Sequence, residues 1–249
     1  GAELIPKVSA RALVTDVERH PKPVLDVFYE AHGLMLFKDL NDINDDPSLL
    51  VRLSRLFGPE VENYRKTVTP ERLIHSQAPE VIVISNLPPM NFPVPDQPDP
   101  PTTPDGLIPM QFPHRKGWHT DQSFRRPPPD ISLFYAMQPT PKGQGQTLYA
   151  DGTAAYSSLS QEIQQTVAEL SAVHAIPWTG RGEDAVRAGE TPTPLEPHQA
   201  SQAQPIVRVH PVTGQSALYL CEESQLDWIL GPVVDMETGP DGAGGRLIY

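Results

Sequence analysis

The chain has 249 residues, with 19 lysines and arginines against 31 aspartates and glutamates, and a formal net charge of −12. Its length permits a buried core, and 38% hydrophobic with 20% charged residues exclude a disordered polyelectrolyte. No run approaches the ~18 consecutive apolar residues of a membrane span, and no basic cluster could neutralise nucleic-acid phosphates. We therefore expect a cytoplasmic protein that binds neither membrane nor nucleic acid.

Cysteine and proline usage narrows the class further. Cys221 is the only cysteine, which excludes an internal disulfide and any zinc or iron–sulfur site built from several cysteines. Proline accounts for 30 of the 249 residues, well above the usual share of about 5%. The excess is concentrated in residues 87–116, which can neither pair in a sheet nor continue a helix. We predict a single domain over 1–249 that carries a proline-rich insertion or lid at 87–116.

The N-terminal part alternates predicted helices with predicted strands. Apolar residues at helical spacing, followed by glycines, predict two helices, while short apolar or β-branched runs predict two strands. The predicted helices cover 22–32 and 47–57, and the predicted strands cover 34–37 and 81–85.

Beyond residue 116 the pattern favours strands. Predicted strands cover 131–137, 147–150, 205–209 and 216–220, and the last two form a hairpin. Ser160 is the expected N-cap of a helix, and His174 is expected as a core histidine at the end of that helical stretch. The polar segment 181–204 predicts a loop. Short strands with helices packed outside them indicate a mostly β protein, either a β-sandwich or a jelly roll.

Residues 118–121 read Trp-His-Thr-Asp and carry the main chemical signal. On a strand, His119 and Asp121 share one face, about 7 Å apart at Cα. A converging imidazole and carboxylate supply two of the three ligands of the facial triad of non-haem Fe(II) sites. The spacing alone is weak, because a His-x-Asp or His-x-Glu triplet is expected about once by chance in such a chain. A solvated or ion-paired histidine is the alternative.

Four stretches that match one family in the right order strengthen this signal. They are 31–37 with 53–58, 118–121, 145–150 with 154–156, and 207–214 with 217–219. Over about residues 22–249 the chain resembles the taurine/2,4-D dioxygenase family of Fe(II)- and 2-oxoglutarate-dependent oxygenases. The resemblance implies a double-stranded β-helix (jelly roll) with flanking helices, and an enzyme that binds Fe(II) and consumes 2-oxoglutarate and O2.

The resemblance also implies roles for individual residues. His119 and Asp121 become the expected iron ligands, and Thr147 the expected donor to a 2-oxoglutarate carboxylate. The candidates for the substrate pocket are Tyr64, Asn86, His114, Arg115 and Trp118. Each of these has an ordinary alternative as a strand, surface-loop or core residue. The implied reaction is hydroxylation of a C–H bond of a small acidic or amino-acid-like substrate.

Two parts of the family pattern have no counterpart in these 249 residues. The distal histidine ligand and the 2-oxoglutarate arginine would follow the 207–214 hairpin by more residues than remain, and the last histidine is His210. We expect a sequence that stops before them and a jelly roll without its closing strands. The alternatives are a catalytically inactive jelly-roll binding protein with an incomplete metal site, and a metal hydrolase with other ligands. Homo-oligomerisation stays open.

Overall fold

The computed structural model describes residues 1–67, 69–85, 104–105, 119–139, 147–174, 187–192, 194–197, 200 and 202–221. These residues fall into two compact units. The first unit draws on Gly1–Pro95 and Asp130–Leu148, and the second on Asp96–Pro129 and Tyr149–Tyr249. Most of the segment 87–116 lies outside the described residues. A single domain with a proline-rich insertion or lid stays a prediction.

Among its described residues, the first unit contains three α-helices and a two-stranded parallel sheet. Its elements are β1 (Ala2–Leu4), α1 (Ala10–Arg19), α2 (Lys22–Glu30), β2 (Met35–Phe37) and α3 (Ser48–Ser54). Strand β1 pairs with β2 from Ala2 opposite Met35 to Leu4 opposite Phe37. The core consists of apolar side chains from α1, α3 and the loop between β2 and α3. Its buried members are Ala10, Val14, Val17, Leu40, Ile43, Leu49 and Leu53.

The start of α1 is defined by a local cap and by a distant carboxylate. Ser9 is the N-cap, and its Oγ accepts a hydrogen bond from the amide of Ala12 at 3.2 Å. The carboxylate of Asp42 accepts from the amides of Ala10 at 3.0 Å and Arg11 at 3.1 Å. These bonds satisfy amides that have no partner within the helix, and they lower the pKa of Asp42 below its usual value.

Helices α2 and α3 and strand β2 confirm the predictions for this part of the chain. The predicted strand at 81–85 is wrong. Only Ile82 forms a bridge there, an isolated antiparallel contact with Ile74. The β-branched run provides the side chains of a strand, but a strand also needs a neighbouring backbone along its whole length. The described residues supply that neighbour at one position alone.

The predicted strands at 131–137 and 147–150 are also wrong. Residues 131–137 alternate in burial, with Leu133 and Tyr135 packed on the core and Phe134 70% exposed. No described strand pairs with them, so the alternation reflects one-sided packing rather than a sheet. Residues 147–150 are all exposed and belong to no strand.

Among its described residues, the second unit contains two short α-helices and two antiparallel strand pairs. Its elements are α4 (Gly152–Ser157), α5 (Gln161–Ala168), β3 (Ser171–His174), β4 (Gln202–Pro205), β5 (Val207–Val209) and β6 (Ser216–Leu218). Strand β3 pairs with β4, and β5 pairs with β6. Helix α4 approaches β6 so closely that a Cβ on Gly152 would lie 2.7 Å from the carbonyl oxygen of Leu218. Glycine is therefore required at the start of α4.

The hairpin and the Ser160 cap are confirmed, the helical placement of His174 is wrong, and the predicted loop at 181–204 is wrong at its C-terminal end. Ser160 Oγ accepts from the amide of Ile163 at 3.3 Å. His174 lies on strand β3 rather than in a helical stretch, and it pairs with Gln202. The predicted loop at 181–204 therefore includes most of strand β4. Its sequence Gln-Ala-Gln-Pro has a low strand propensity, and pairing with β3 overrides that propensity.

Over the described residues the fold is a mixture of helices and small sheets rather than mostly β. The α-helices hold more residues than the strands, and the strands form three separate two-stranded sheets. A closed barrel is not present in this part of the chain. None of the described helices has the length and apolar character that a membrane span requires.

Candidate metal centre

His119 and Asp121 lie side by side in the second unit. Nε2 of His119 is 3.1 Å from Oδ1 of Asp121, and the two side chains are 47% and 56% exposed. The predicted strand is absent here, since residues 119 and 120 belong to no strand and residues 121–124 form a turn. The turn, rather than the alternation of a strand, brings the imidazole and the carboxylate together.

The separation of the two donor atoms suits a small divalent cation. Two adjacent ligands on an octahedral ion, with bonds of ~2.1 Å, place their donor atoms about 3 Å apart. The observed 3.1 Å agrees with that value. An imidazole nitrogen and a carboxylate oxygen are two of the donors of the facial triad that binds Fe(II). Both side chains are open to solvent, so an ion can reach them.

A hydrogen bond alone gives a similar separation. At the C-terminal end of α1, Nδ1 of the C-cap residue His20 lies 3.3 Å from Oδ1 of Asp16 in an ordinary pair four residues apart. Distance therefore does not distinguish a metal pair from an ion pair. Within the part of the chain that the structure describes, no third histidine, cysteine or acidic side chain completes a metal-binding group. The candidate centre has two ligands there.

The pair belongs to a loop, residues 119–126, that is held by a buried glutamine. Gln204 on β4 is 6% exposed, and its side-chain amide donates to the carbonyls of Ser123 and Arg125, each at 2.9 Å. Between Asp121 and Ser123, Gln122 has a φ of 49°, in the left-handed region that residues other than glycine rarely adopt. His119 and Asp121 thus lie beside a constrained turn.

A buried cluster of polar side chains lies against the same loop. Ser123 Oγ is 2.8 Å from Nδ1 of His174 and 3.5 Å from the Sγ of Cys221. The amide of Thr120 donates to Cys221 Sγ at 3.2 Å. Ser123, His174 and Cys221 are all buried. Polar groups removed from water are stable only with partners, and these groups serve as partners for one another.

His174 is neutral near pH 7. It is fully buried, and burial lowers the pKa of its imidazole from 6.5 to about 4. Its Nε2 and the hydroxyl of Tyr219 are buried without a hydrogen-bond partner among the described residues, and the two ring centres are 5.6 Å apart. A second proton on the imidazole would have no acceptor at Nε2. The expected core position of this histidine is confirmed, but the expectation that its ring is fully hydrogen-bonded is not, because only Nδ1 has a partner among the described residues.

Ser123 and Gln204 are not among the residues that the sequence predicts for the site. Gln204 lies in a segment that was predicted to be a loop, and Ser123 follows the metal motif as a common polar residue. Their contacts join residues about 80 positions apart in the chain, for example Gln204 with Ser123. Local sequence carries no sign of such a contact.

The structure does not test the other predicted site residues. Thr147 is exposed, and Tyr64 donates its amide to the carbonyl of Pro79 at 2.9 Å. Both belong to the first unit, whereas His119 and Asp121 belong to the second. Their roles stay predictions. The other predicted pocket residues lie outside the described residues, namely Asn86, His114, Arg115 and Trp118.

Comparison with known proteins identifies the family. Residues 3–238 match the model of the taurine catabolism dioxygenase TauD, TfdA family. The match covers most of the chain, and the chain belongs to this family. The resemblance drawn from the four ordered motifs is confirmed. The α-ketoglutarate-dependent dioxygenases of this family use Fe(II), O2 and α-ketoglutarate, which is 2-oxoglutarate.

Individual relatives are named for different compounds. The chain is similar to an alpha-ketoglutarate-dependent sulfonate dioxygenase of Saccharomyces cerevisiae, with 33% identity over 42% of this chain and 24% of the yeast protein. It is 30% identical to an alpha-ketoglutarate-dependent sulfate ester dioxygenase of Pseudomonas putida, over 41% of this chain and 35% of that protein. It is 31% identical to pentalenolactone F synthase of Streptomyces arenae, over 42% of this chain and 37% of that protein. The match thus spans between 24% and 37% of the length of these relatives.

Proposed function

We propose that this protein is an Fe(II)- and 2-oxoglutarate-dependent dioxygenase that hydroxylates a C–H bond of a small acidic molecule. The observation that carries the proposal is the approach of His119 Nε2 to Asp121 Oδ1 at 3.1 Å, within a chain that belongs to a dioxygenase family. The similar His20–Asp16 pair lacks that motif, and it belongs to a regular helix. Motif and geometry together support the metal role of the first pair.

His119 and Asp121 would hold the ion through one imidazole nitrogen and one carboxylate oxygen. Their exposure leaves room on the open side for the co-substrates. Iron bound at this pair supplies, with 2-oxoglutarate and O2, the oxidising chemistry that converts C–H to C–OH. In the proposal the Thr147 hydroxyl donates a hydrogen bond to a 2-oxoglutarate carboxylate and orients the co-substrate.

The proposal includes a jelly roll around the pair. Two antiparallel strand pairs, β3–β4 and β5–β6, belong to the same unit as His119 and Asp121. Strand β4 contributes the glutamine that contacts the 119–126 loop, so this sheet supports the motif directly. Family membership and this support are the grounds for proposing the jelly roll.

The proposed substrates are small organic anions. Similar proteins are named for sulfonates, for sulfate esters and for (S)-phenoxypropionate, all of which carry a negative charge near neutral pH. A net charge of −12 favours a small anion over an extended polyanion, because a long negative chain would be repelled along its whole length. We propose a sulfonate, sulfate ester or carboxylate as the substrate.

The test compares two histidine variants, each of which loses an imidazole beside an aspartate. The protein is loaded with Fe(II) without oxygen, and its Kd for Fe(II) is measured. Succinate release is then followed with 2-oxoglutarate, O2 and a panel of sulfonates, sulfate esters and aryloxy acids. His119→Ala is expected to raise the Kd about 100-fold or more and to abolish succinate release, because a direct ligand contributes more than its outer partners. His20→Ala is the matched control and is expected to change neither value.

A second candidate is a catalytically inactive jelly-roll binding protein with an incomplete metal site. The observation in its favour is that the described residues contain no third ligand for the pair. Fe(II) binding that depends on His119 without succinate release from any compound would favour this candidate. Equal Fe(II) affinity of His119→Ala and His20→Ala would contradict the dioxygenase proposal and any metal role for His119.

A further inference from the structure

We infer that Gln204 is a positioning residue for His119 and Asp121, which the proposed function makes the metal pair. His174 supports the loop of this pair through Ser123. The inference rests on the proposed function, since it concerns how the chain presents His119 and Asp121 to an ion. Its basis is the set of buried hydrogen bonds that join strands β3 and β4 to the 119–126 loop.

Gln204 joins two points of the loop through a single nitrogen. A carboxamide carries two N–H donors, and here they bind the carbonyls of Ser123 and Arg125, each at 2.9 Å. The amide of Arg125 in turn donates to the carbonyl of Gln122 at 3.0 Å. The side chain therefore fixes the distance between two carbonyls across the turn that follows Asp121.

The turn needs such support because of Gln122. Its φ of 49° places a residue with a Cβ in the left-handed region. Conformations of this kind persist where surrounding contacts determine them, and they occur often at functional sites. The contacts from Gln204 begin at Ser123, the residue next to Gln122. Loss of these contacts would let Gln122 relax, and Asp121, on its other side, would move with it.

Two further anchors flank Asp121. The amide of Thr120, between the two ligands, donates to Cys221 Sγ at 3.2 Å. Ser123 Oγ, two residues beyond Asp121, is 2.8 Å from Nδ1 of His174. The backbone is thus tied to buried groups both between the ligands and directly after them. A ligand pair held in this way loses less freedom when it binds an ion, so its affinity is higher.

Packing of the core alone does not explain why position 204 is a glutamine. The neighbouring core cluster consists of Ala172, Ile206 and Cys221, and an apolar side chain would pack there without a desolvation cost. Both hydrogen bonds of the Gln204 side-chain nitrogen go to the 119–126 loop. The buried glutamine thus serves the geometry of the loop.

The test replaces glutamine by methionine at two positions of β4. Gln204→Met keeps the length of the side chain and removes both donors. Gln202→Met makes the same change where the side chain donates only to the carbonyl of Ala200, at 2.8 Å, among the described residues. The full 249-residue chain is compared by amide hydrogen exchange of residues 119–126, by Fe(II) titration and by urea unfolding. Ser123→Ala is a second variant that removes the hydroxyl beside His174.

We expect Gln204→Met to speed exchange in the loop about 10-fold or more and to raise the Kd for Fe(II) about 10- to 100-fold. Ser123→Ala should act in the same direction, and Gln202→Met should leave both values within about twofold of the wild type. Unchanged exchange in Gln204→Met would overturn the inference, as would faster exchange with an unchanged Kd. A wild-type chain that binds no Fe(II) would contradict the proposed function, while the exchange data would still decide whether Gln204 holds the loop.

Discussion

The two units of this chain differ in what they bury. The core of the first unit consists of apolar side chains, and its polar groups, such as the N-cap Ser9, lie at helix ends near solvent. The buried polar side chains of the described residues all belong to the second unit. They are Ser123, His174 and Gln204.

This difference separates residues that stabilise the fold from residues that shape a site. Burial of a polar group costs free energy unless every partner is present, so a chain selected for stability alone would avoid it. In the second unit the three polar side chains are in one network around the loop that carries His119 and Asp121. The first unit should therefore behave as a scaffold, and the second should respond to pH and to metal.

The largest expected effect is loss of packing in the first unit. Leu49 on α3 is fully buried in the apolar core. Leu49→Ala should lower the free energy of unfolding by about 3 kcal/mol, because the buried contacts are lost and a cavity remains. Urea unfolding monitored by circular dichroism measures this change.

Leu36→Ala is the control for that variant. Leu36 lies on β2 in the same unit, and it is 53% exposed. Its truncation should cost less than about 0.5 kcal/mol. Similar losses of unfolding free energy for the two variants would show that the apolar cluster is not what stabilises the first unit.

The next effect is a dependence of stability on pH from the second unit. The pKa of His174 is about 4 in the folded chain, against 6.5 for an unperturbed histidine, so the unfolded chain binds more protons between these values. The contribution of His174 is therefore complete above pH 6.5 and is lost as the pH falls toward 4. Between pH 7 and pH 5 the free energy of unfolding should fall by about 2 kcal/mol from this group.

His174→Asn provides the control, since its side chain does not titrate. The variant should be less stable than the wild type at pH 7, but its stability should change less between pH 7 and pH 5. Parallel pH profiles for the two proteins would contradict the burial of a neutral imidazole. Urea titrations at four or five pH values decide between these outcomes.

Sequence patterns predict the elements that depend on interactions between residues close together in the chain. The cap of α5 at Ser160 and the 207–218 hairpin follow from short-range chemistry, and the structure confirms both. The family and the position of the His-x-Asp motif were also readable, because four ordered motifs are far more specific than one. The cap and the hairpin need no knowledge of distant parts of the chain, and the family is readable from the order of motifs along it.

What could not be predicted depends on contacts between distant residues. Helix α1 begins where Asp42 accepts the amides of Ala10 and Arg11, more than 30 positions away in the chain. Strand β4 has a polar sequence and exists because β3 pairs with it. The apolar segment 131–137 has the sequence pattern of a strand, but it packs on the core without forming a strand. In each case the tertiary partner, rather than local propensity, decides the structure.

The smallest effect compares equivalent caps in the two units. Ser9 caps α1 and Ser160 caps α5, each with a serine Oγ that accepts an amide three residues on. Ser9→Ala should cost about 1 kcal/mol, since α1 buries Ala10, Val14 and Val17 and cannot fray without exposing core. Ser160→Ala should cost less than half as much.

The reason is that α5 has no buried residue, so its first turn can open without disturbing the rest of the second unit. Urea unfolding gives both values, and amide exchange shows where each helix opens. Equal losses from the two caps would mean that α5 is as firmly coupled to its unit as α1 is. The contrast between an apolar scaffold and a polar, site-bearing unit would then be confined to the residues around the 119–126 loop.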